Sequence, residues 1–149
     1  MKNPLRWLCA ILAAVALATA APTRAEDIGR IKVSRGQVVV ERAGAALPAA
    51  VGTRVQGSDT IRTGDDGSVG ITMDDDSLLS AGPNTVLVLD RYAFDPTTNQ
   101  GRFDTALNKG TLAVISGRIA KQSPDAMTVR TPTAILGVRG TTFAVRANE

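Results

Sequence analysis

Glycine and proline interrupt this chain so often that a long helix has no room to form. Fourteen glycines lie between Gly29 and Gly140, and the glycine-free stretch from Pro83 to Gln100 is itself broken by Pro96. Glycine destabilises helices and proline breaks them, because it lacks a backbone donor. After residue 25 the chain has 20 Val and Ile against 8 Leu, which is the composition of strands. The sequence therefore predicts an all-β protein.

Short apolar runs alternate with turn residues about every ten positions. Val69, Ile71 and Met73, for example, alternate with small or polar residues, as in a strand with one buried face. About ten short strands of this kind predict a jelly-roll-like β-sandwich or a short β-roll. Its largest core side chains should be Tyr92, Phe94, Phe103 and Phe143.

Three local patterns give sharper expectations in the second half of the chain. Asn108-Lys109-Gly110 has the composition of a turn between two strands. The run 111–115 is apolar enough to predict a strand buried on both faces. Residues 121–125 are predicted to form the main polar loop.

The first 25 residues have the organisation of a secretory signal peptide. Lys2 and Arg6 precede an apolar run of about 15 residues, which ends in small residues before Glu26. A membrane span needs roughly 20 residues, so a cleaved signal is favoured over a membrane anchor. We predict secretion to the periplasm, a signal peptide at 1–25, one domain at 26–149, and no stable membrane insertion after cleavage.

Removal of this segment changes the charge and the available chemistry. Lys2, Arg6 and Arg24 leave, so 14 basic residues face 14 acidic ones and the net charge is zero. This neutrality removes the main support for nucleic-acid binding. Cys9 also leaves, and the chain has no His, which excludes disulfides, thiol nucleophiles, His bases and Cys/His zinc sites. We predict a protein without catalytic activity and without a cofactor.

Three stretches resemble the FecR-domain family, and the similarity extends from about Arg30 to Val145. Residues 57–64 are similar to its G-D-T-I-R-T-G element, and Asp75-Asp76-Ser77 with 82–85 to its D-G-S and P-x-S/T elements. Residues 131–143 are similar to its long T-P-x-A-x-x-G-V-R-G-T-x-F signature. The resemblance implies a periplasmic all-β domain of jelly-roll-like architecture that senses, scaffolds or regulates.

The chain departs from that family in ways that matter for function. The regulators that name it carry a cytoplasmic segment and a membrane helix, whereas this chain is predicted to carry a cleaved signal peptide and therefore to have no direct route to a sigma factor. Asp76 stands where the family usually has Gly, so Asp76 should adopt a left-handed or strained conformation at a cost of about 1 kcal/mol. Members of that family often continue for one or more strands after the signature strand, and a missing closing strand would leave an exposed sheet edge, a site for partner pairing or aggregation.

The signature supplies most of the candidate site. Its prolines and glycines suit tight backbone geometry, and Arg139 could hydrogen-bond carbonyls or a carboxylate across the turn, which is a structural interpretation. The alternative is contact with a partner. The candidate contact or signature residues are Thr131, Pro132, Gly137, Arg139, Gly140, Thr141, Asp75 and Asp76.

Two aspartate clusters, Asp65-Asp66 and Asp74-Asp75-Asp76, invite a comparison with calcium sites, since Ca²⁺ prefers carboxylate oxygens. Their spacing matches neither the EF-hand nor a calcium-binding repeat, and Asp is a common turn residue. We interpret both clusters as solvated turns and predict no metal site. A glycosidase-like carboxylate pair and a Lys121/Ser123 dyad lack the surrounding residues that such catalysis requires.

Three functional hypotheses follow. The first is a non-catalytic interaction or signal-sensing module whose partner is an envelope protein. The second is a cell-wall or polysaccharide-binding protein, although aromatic platforms for sugars are scarce. The third is a structural protein that self-associates through its open edge.

Overall fold

Twelve strands and one short helix make up the part of the chain that the computed structural model describes, residues 25–140 and 142–148. Residues 1–24, which hold nearly all of the predicted signal peptide, and the candidate residue Thr141 lie outside the described residues. The helix is α1, Arg118–Gln122. The strands are β1 Asp27–Arg35, β2 Val38–Arg42, β3 Ala45–Pro48, β4 Arg54–Gln56, β5 Thr60–Thr63, β6 Ser68–Met73, β7 Leu78–Ala81, β8 Val86–Phe94, β9 Gly101–Ile115, β10 Met127–Arg130, β11 Ile135–Gly137 and β12 Thr142–Ala147.

The strands form one curled sheet whose two halves share β9. One half, called here the β1 half, has the order β4-β1-β6-β7-β9-β12. The other, the β8 half, has the order β3-β2-β5-β8-β9-β10-β11, and its β9–β10 pair is parallel whereas the other pairs are antiparallel. The all-β class is confirmed, with twelve described strands instead of about ten.

The core lies between the two halves and is built by strict alternation. In β6, Val69, Ile71 and Met73 are buried, as their period-two spacing predicts. Phe103 is fully buried and meets the ring of Tyr92 edge-to-face, with 5.3 Å between ring centroids. Phe94 and Phe143 are partly buried against the same cluster, so the four aromatics belong to the core as predicted.

Strand β9 overturns two expectations. Asn108-Lys109-Gly110 is not a turn, because the strand runs on from Gly101 to Ile115 and changes partners at this point. Its first part pairs with β8 and β10, and its second part with β7 and β12. The second part is not buried on both faces either. Leu112 and Val114 point into the core, while Ile115 is 49% exposed.

The predicted polar loop at 121–125 is also partly wrong. Helix α1 covers Arg118 to Gln122, and it buries Ile119 and Ala120 in the core. Only the residues after the helix form a loop, in which the backbone N–H of Ala126 donates to the Ser123 carbonyl over 3.0 Å. No helix among residues 25–140 and 142–148 is long and apolar enough to cross a membrane.

Candidate functional site

The signature residues form an exposed hairpin at the end of the β8 half. Strands β10 and β11 pair antiparallel, with Val129 opposite Leu136. The Thr131 N–H donates to the Ala134 carbonyl over 2.8 Å, and the Ala134 N–H donates to the Thr131 hydroxyl over 3.0 Å. These bonds close a tight turn whose tip exposes Pro132. The turn is therefore held by its own residues and leaves its outer surface uncovered.

Strand β11 is an edge strand, since β10 is its only pairing partner among the described residues. Ile135, its first residue, is 72% exposed, the largest exposure of any large apolar side chain that the structure describes. Gly137 at its end is also exposed. Val138 is buried, and its N–H donates to the Met127 carbonyl over 3.0 Å. This buried residue anchors the far end of an otherwise open strand.

Arg139 and Gly140 follow immediately and lie on the surface. Gly140 has a φ of 55°, a left-handed conformation that glycine adopts without strain. The sequence suggested that Arg139 could hydrogen-bond a carbonyl or a carboxylate across this turn, and that expectation is wrong. Within residues 25–140 and 142–148 the Arg139 side chain has no hydrogen bond or ion pair, and it is exposed. Thr131, Pro132, Gly137, Arg139 and Gly140 thus share one exposed segment, called here the signature segment (131–140).

Asp75 lies elsewhere and is fully buried, so the expectation of a solvated, partner-facing carboxylate is wrong there. Its carboxylate accepts hydrogen bonds from the Ser77 hydroxyl (2.8 Å), the Ser77 N–H (3.2 Å) and the Ile119 N–H (3.3 Å). The Tyr92 hydroxyl, at 3.3 Å, donates to it as well. A buried carboxylate with this many donors is a structural element of the fold.

The contacts of Asp75 hold the start of helix α1. The Arg118 N–H donates to the Asp75 carbonyl over 2.8 Å, and the Gly117 N–H donates to the Ser77 hydroxyl over 2.9 Å. A side chain at Gly117 would lie 2.2 Å from the Asp75 carbonyl oxygen, so only glycine fits. The Asp75-Asp76-Ser77 element therefore satisfies the free N–H groups at the helix N-terminus from about 40 residues away.

Asp76 confirms one expectation. It has a φ of 66°, the left-handed conformation that the family resemblance predicted there. Its carboxylate is 73% exposed and lies 3.0 Å from the Nε of Arg118. The Arg118 guanidinium also lies 4.7 Å from the centre of the Phe94 ring. Asp76 thus contributes a surface ion pair that holds the same helix.

The pKa of Tyr92 is changed by the burial of its ring beside Asp75. Its pKa is raised well above the ordinary value of about 10, first by burial of the ring and then by the charge of Asp75. A raised pKa means that the folded protein favours the neutral phenol. The resulting stability is fully present below about pH 10 and is lost as the pH rises above that value.

This linkage gives a direct prediction, because Tyr92 is the only tyrosine in the chain. The native protein should show no phenolate absorbance when the pH passes about 10, the value at which a free tyrosine ionises. Phenolate should appear only together with the loss of the strand signal in circular dichroism. Phenolate formation near pH 10 in a folded protein would contradict the buried position. The denaturant-unfolded chain, which should titrate normally, is the control.

A charged groove of about 350 Å³ lies beside Ile135 on the outer surface of the β8 half. Within it, Arg130 pairs with Asp90, and Asp104 accepts hydrogen bonds from Arg102 (2.7 Å) and Thr128 (2.6 Å). Partial burial alone would raise the pKa of Asp104, but these two bonds and the charges of Arg102 and Arg91 together outweigh it and lower that pKa. The sequence did not predict this groove, because its residues come from four separate strands, β8, β9, β10 and β11.

The described residues hold no group of three or more acidic, Cys or His side chains close enough to share a metal ion. Asp66 instead accepts a hydrogen bond from the Gln37 N–H over 3.0 Å. No aromatic side chain is exposed in the described part of the chain, where the phenylalanines and Tyr92 are buried or half-buried. The surface described here thus lacks the exposed rings on which sugars usually stack.

Comparison with protein-family models identifies the chain. The model described as FecR protein matches residues 59–149, which is more than half of the 149 residues. This span contains strands β5 to β12, helix α1, Asp75 and the signature segment, whereas β1 to β4 precede it. Comparison with curated proteins and with solved structures gives no match. On the strength of the family match, this chain belongs to the FecR family.

Proposed function

We propose that this protein is a non-catalytic module of envelope signalling that acts in the periplasm and binds an envelope protein through the signature segment. Family membership associates the chain with signalling in the cell envelope and with regulation rather than catalysis. The finer proposal rests on one observation, the uncovered edge of β11, with Ile135 exposed at its start and Arg139 exposed two residues beyond its end.

An uncovered edge strand binds by strand addition. The backbone N–H and C=O groups on its free side can pair with an extended segment of a partner, which supplies affinity without sequence selectivity. Exposed side chains then provide selectivity. Ile135 offers an apolar anchor beside the charged groove, and Arg139 offers five donors without an intramolecular partner in the described structure. A partner segment with a carboxylate near one end fits this arrangement.

Photo-crosslinking in whole cells tests this proposal. A photoreactive residue at Ile135 should give an adduct with one envelope protein, identified by mass spectrometry. The matched control is the same residue at Val51, which is apolar and 63% exposed but lies in the turn between β3 and β4. Equal adducts from both positions would contradict a specific interface. Adducts with wall material alone would favour the polysaccharide-binding hypothesis, and adducts with the chain itself would favour self-association.

Arg139→Ala separates contact from structure. Since the Arg139 side chain has no partner among the described residues, its removal should change the free energy of unfolding by less than about 0.5 kcal/mol. Loss of a charged contact to a partner carboxylate should nevertheless weaken the complex by about 2 kcal/mol or more. The measurements are thermal unfolding and adduct yield from Ile135. A parallel loss of stability and adduct would show that Arg139 acts on the fold.

A further inference from the structure

The outer face of the β1 half is a second exposed surface, separate from the signature segment. Register and burial place three rows of side chains on it across β1, β6, β7, β9 and β12. We call it the basic-rimmed face. The rows are Arg30, Thr72, Leu78, Ile115 and Thr142, then Val33, Gly70, Ser80, Ala113 and Ala144, then Arg35, Ser68, Thr111 and Arg146, where Gly82, just past the end of β7, donates its N–H to the Thr111 carbonyl.

The centre of this face is apolar and shallow. Val33, Leu78 and Ile115 are 44%, 40% and 49% exposed, which makes them three of the five large apolar side chains that the described structure leaves exposed. The residues between them are small or uncharged, and Gly70 lies under Val33, where an added Cβ would be 3.3 Å from that side chain. Exposed large apolar side chains gathered on one face, rimmed by polar residues, commonly mark an interaction site.

The rim of the face carries cations without acidic partners. Arg35, Arg54 and Arg146 are exposed and Arg30 is half-buried, and none of them forms an ion pair within residues 25–140 and 142–148. The three rows contain no Asp or Glu. By contrast, three arginines of the β8 half are paired, Arg62 with Glu41, Arg102 with Asp104 and Arg130 with Asp90. Positive charge in the three rows is therefore not compensated by any carboxylate within them, whereas Arg139, unpaired in the described part of the chain, lies apart, in the signature segment.

We propose that the basic-rimmed face binds the surface of an anionic phospholipid bilayer. Arginines near such a surface are attracted to its headgroups, and apolar side chains between them can enter the headgroup boundary. Arg30 lies on β1 and Arg146 on β12, which are separated by four strand-to-strand steps. At about 4.8 Å per step the two strands are about 19 Å apart. A continuous anionic surface can engage all the rim cations at once. The proposal does not depend on the function proposed for the signature segment.

Two other occupants fit less well. A second copy of the chain would bring two cationic rims together, and their repulsion opposes association. An extended acidic segment of a protein would cover one row and reach only neighbouring cations. A lipid surface matches both the spread of the charges and the shallow apolar centre.

Vesicle binding tests the inference. The protein is recovered from cells that express the full-length sequence. Mass spectrometry identifies the N-terminal residue of each variant, and only variants with the same N-terminus are compared. Vesicles of equal parts phosphatidylglycerol and phosphatidylethanolamine should retain it, and retention should fall as salt rises. Arg30→Gln with Arg54→Gln should lower the partition coefficient roughly 30-fold, since each basic residue contributes about fivefold.

The control variant removes the same charge elsewhere. Arg91→Gln with Lys121→Gln also loses two exposed cations, but neither residue lies on the basic-rimmed face. Its partition coefficient should change by less than about twofold, because charges beyond a Debye length are screened. Equal losses in both variants, or equal retention on phosphatidylcholine vesicles, would overturn the proposal. A single protein adduct from a photo-crosslinker at Ser80, with no vesicle retention, would reassign the face to a protein partner.

Discussion

Replacing Asp75 with alanine is expected to lower the free energy of unfolding by about 4 kcal/mol and the melting temperature by roughly 10–20 °C. The substitution removes the shared acceptor of the Ser77 and Ile119 N–H groups and of two hydroxyls. Each buried donor left without an acceptor costs about 1–3 kcal/mol. Urea unfolding followed by circular dichroism measures the loss.

The neighbouring residue provides the control for this prediction. Asp76→Asn also removes one carboxylate, but Asp76 is exposed and its left-handed φ of 66° is one that asparagine tolerates. Only a surface ion pair is lost, so the change should stay below about 1 kcal/mol. If both substitutions cost the same, the buried network around Asp75 would not be what stabilises α1.

The contrast between Asp75 and Asp76 shows what the sequence could and could not predict. The left-handed conformation of Asp76 was predicted through the family resemblance, because the resembling element has Gly at this position. The burial of Asp75 was not, because its partners Tyr92 and Ile119 lie 17 and 44 positions away. A run of three aspartates carries no local sign that the middle one points inward.

Asp59, in the stretch 57–64 that resembles the family, is a second residue whose role depends on a partner distant in the sequence. It is fully buried and accepts two hydrogen bonds from Arg42, at 2.8 and 2.7 Å, and one from the Gln56 N–H. This bidentate contact raises the pKa of Arg42. The resemblance identified the family through this element, but the role of Asp59 depends on an arginine 17 residues earlier.

The sequence named the signature residues as a candidate site, but it did not predict how far they are exposed. Alternating apolar and polar positions favour a half-buried strand, yet β11 spans only three residues, Ile135 to Gly137, and Val138 is the buried anchor. Whether a short strand is covered depends on the order of strands in the sheet, which local patterns do not contain. The charged groove beside Ile135 was missed for the same reason.

Gly110 was predicted to lie in a turn, but in the structure it lies inside strand β9. It has a φ of 92° inside β9, where the strand leaves β8 and begins to pair with β12. A Cβ built on it would lie 2.3 Å from the Thr85 hydroxyl and 2.5 Å from the Thr85 Cα. Thr85 is fully buried and accepts a hydrogen bond from the Thr111 N–H over 3.1 Å. Gly110 therefore allows one strand to serve both halves of the sheet.

Gly110→Ala is accordingly expected to lower the free energy of unfolding by about 3–4 kcal/mol. About 1 kcal/mol comes from the left-handed backbone, and the rest from the forced shift of buried Thr85. Gly44→Ala isolates the first contribution, since Gly44 has a φ of 79° with no atom within 4 Å of its built Cβ. That control should lose only about 1 kcal/mol. Equal losses in urea unfolding would mean that β9 can move away from Thr85, and that the two halves are not held together at this residue.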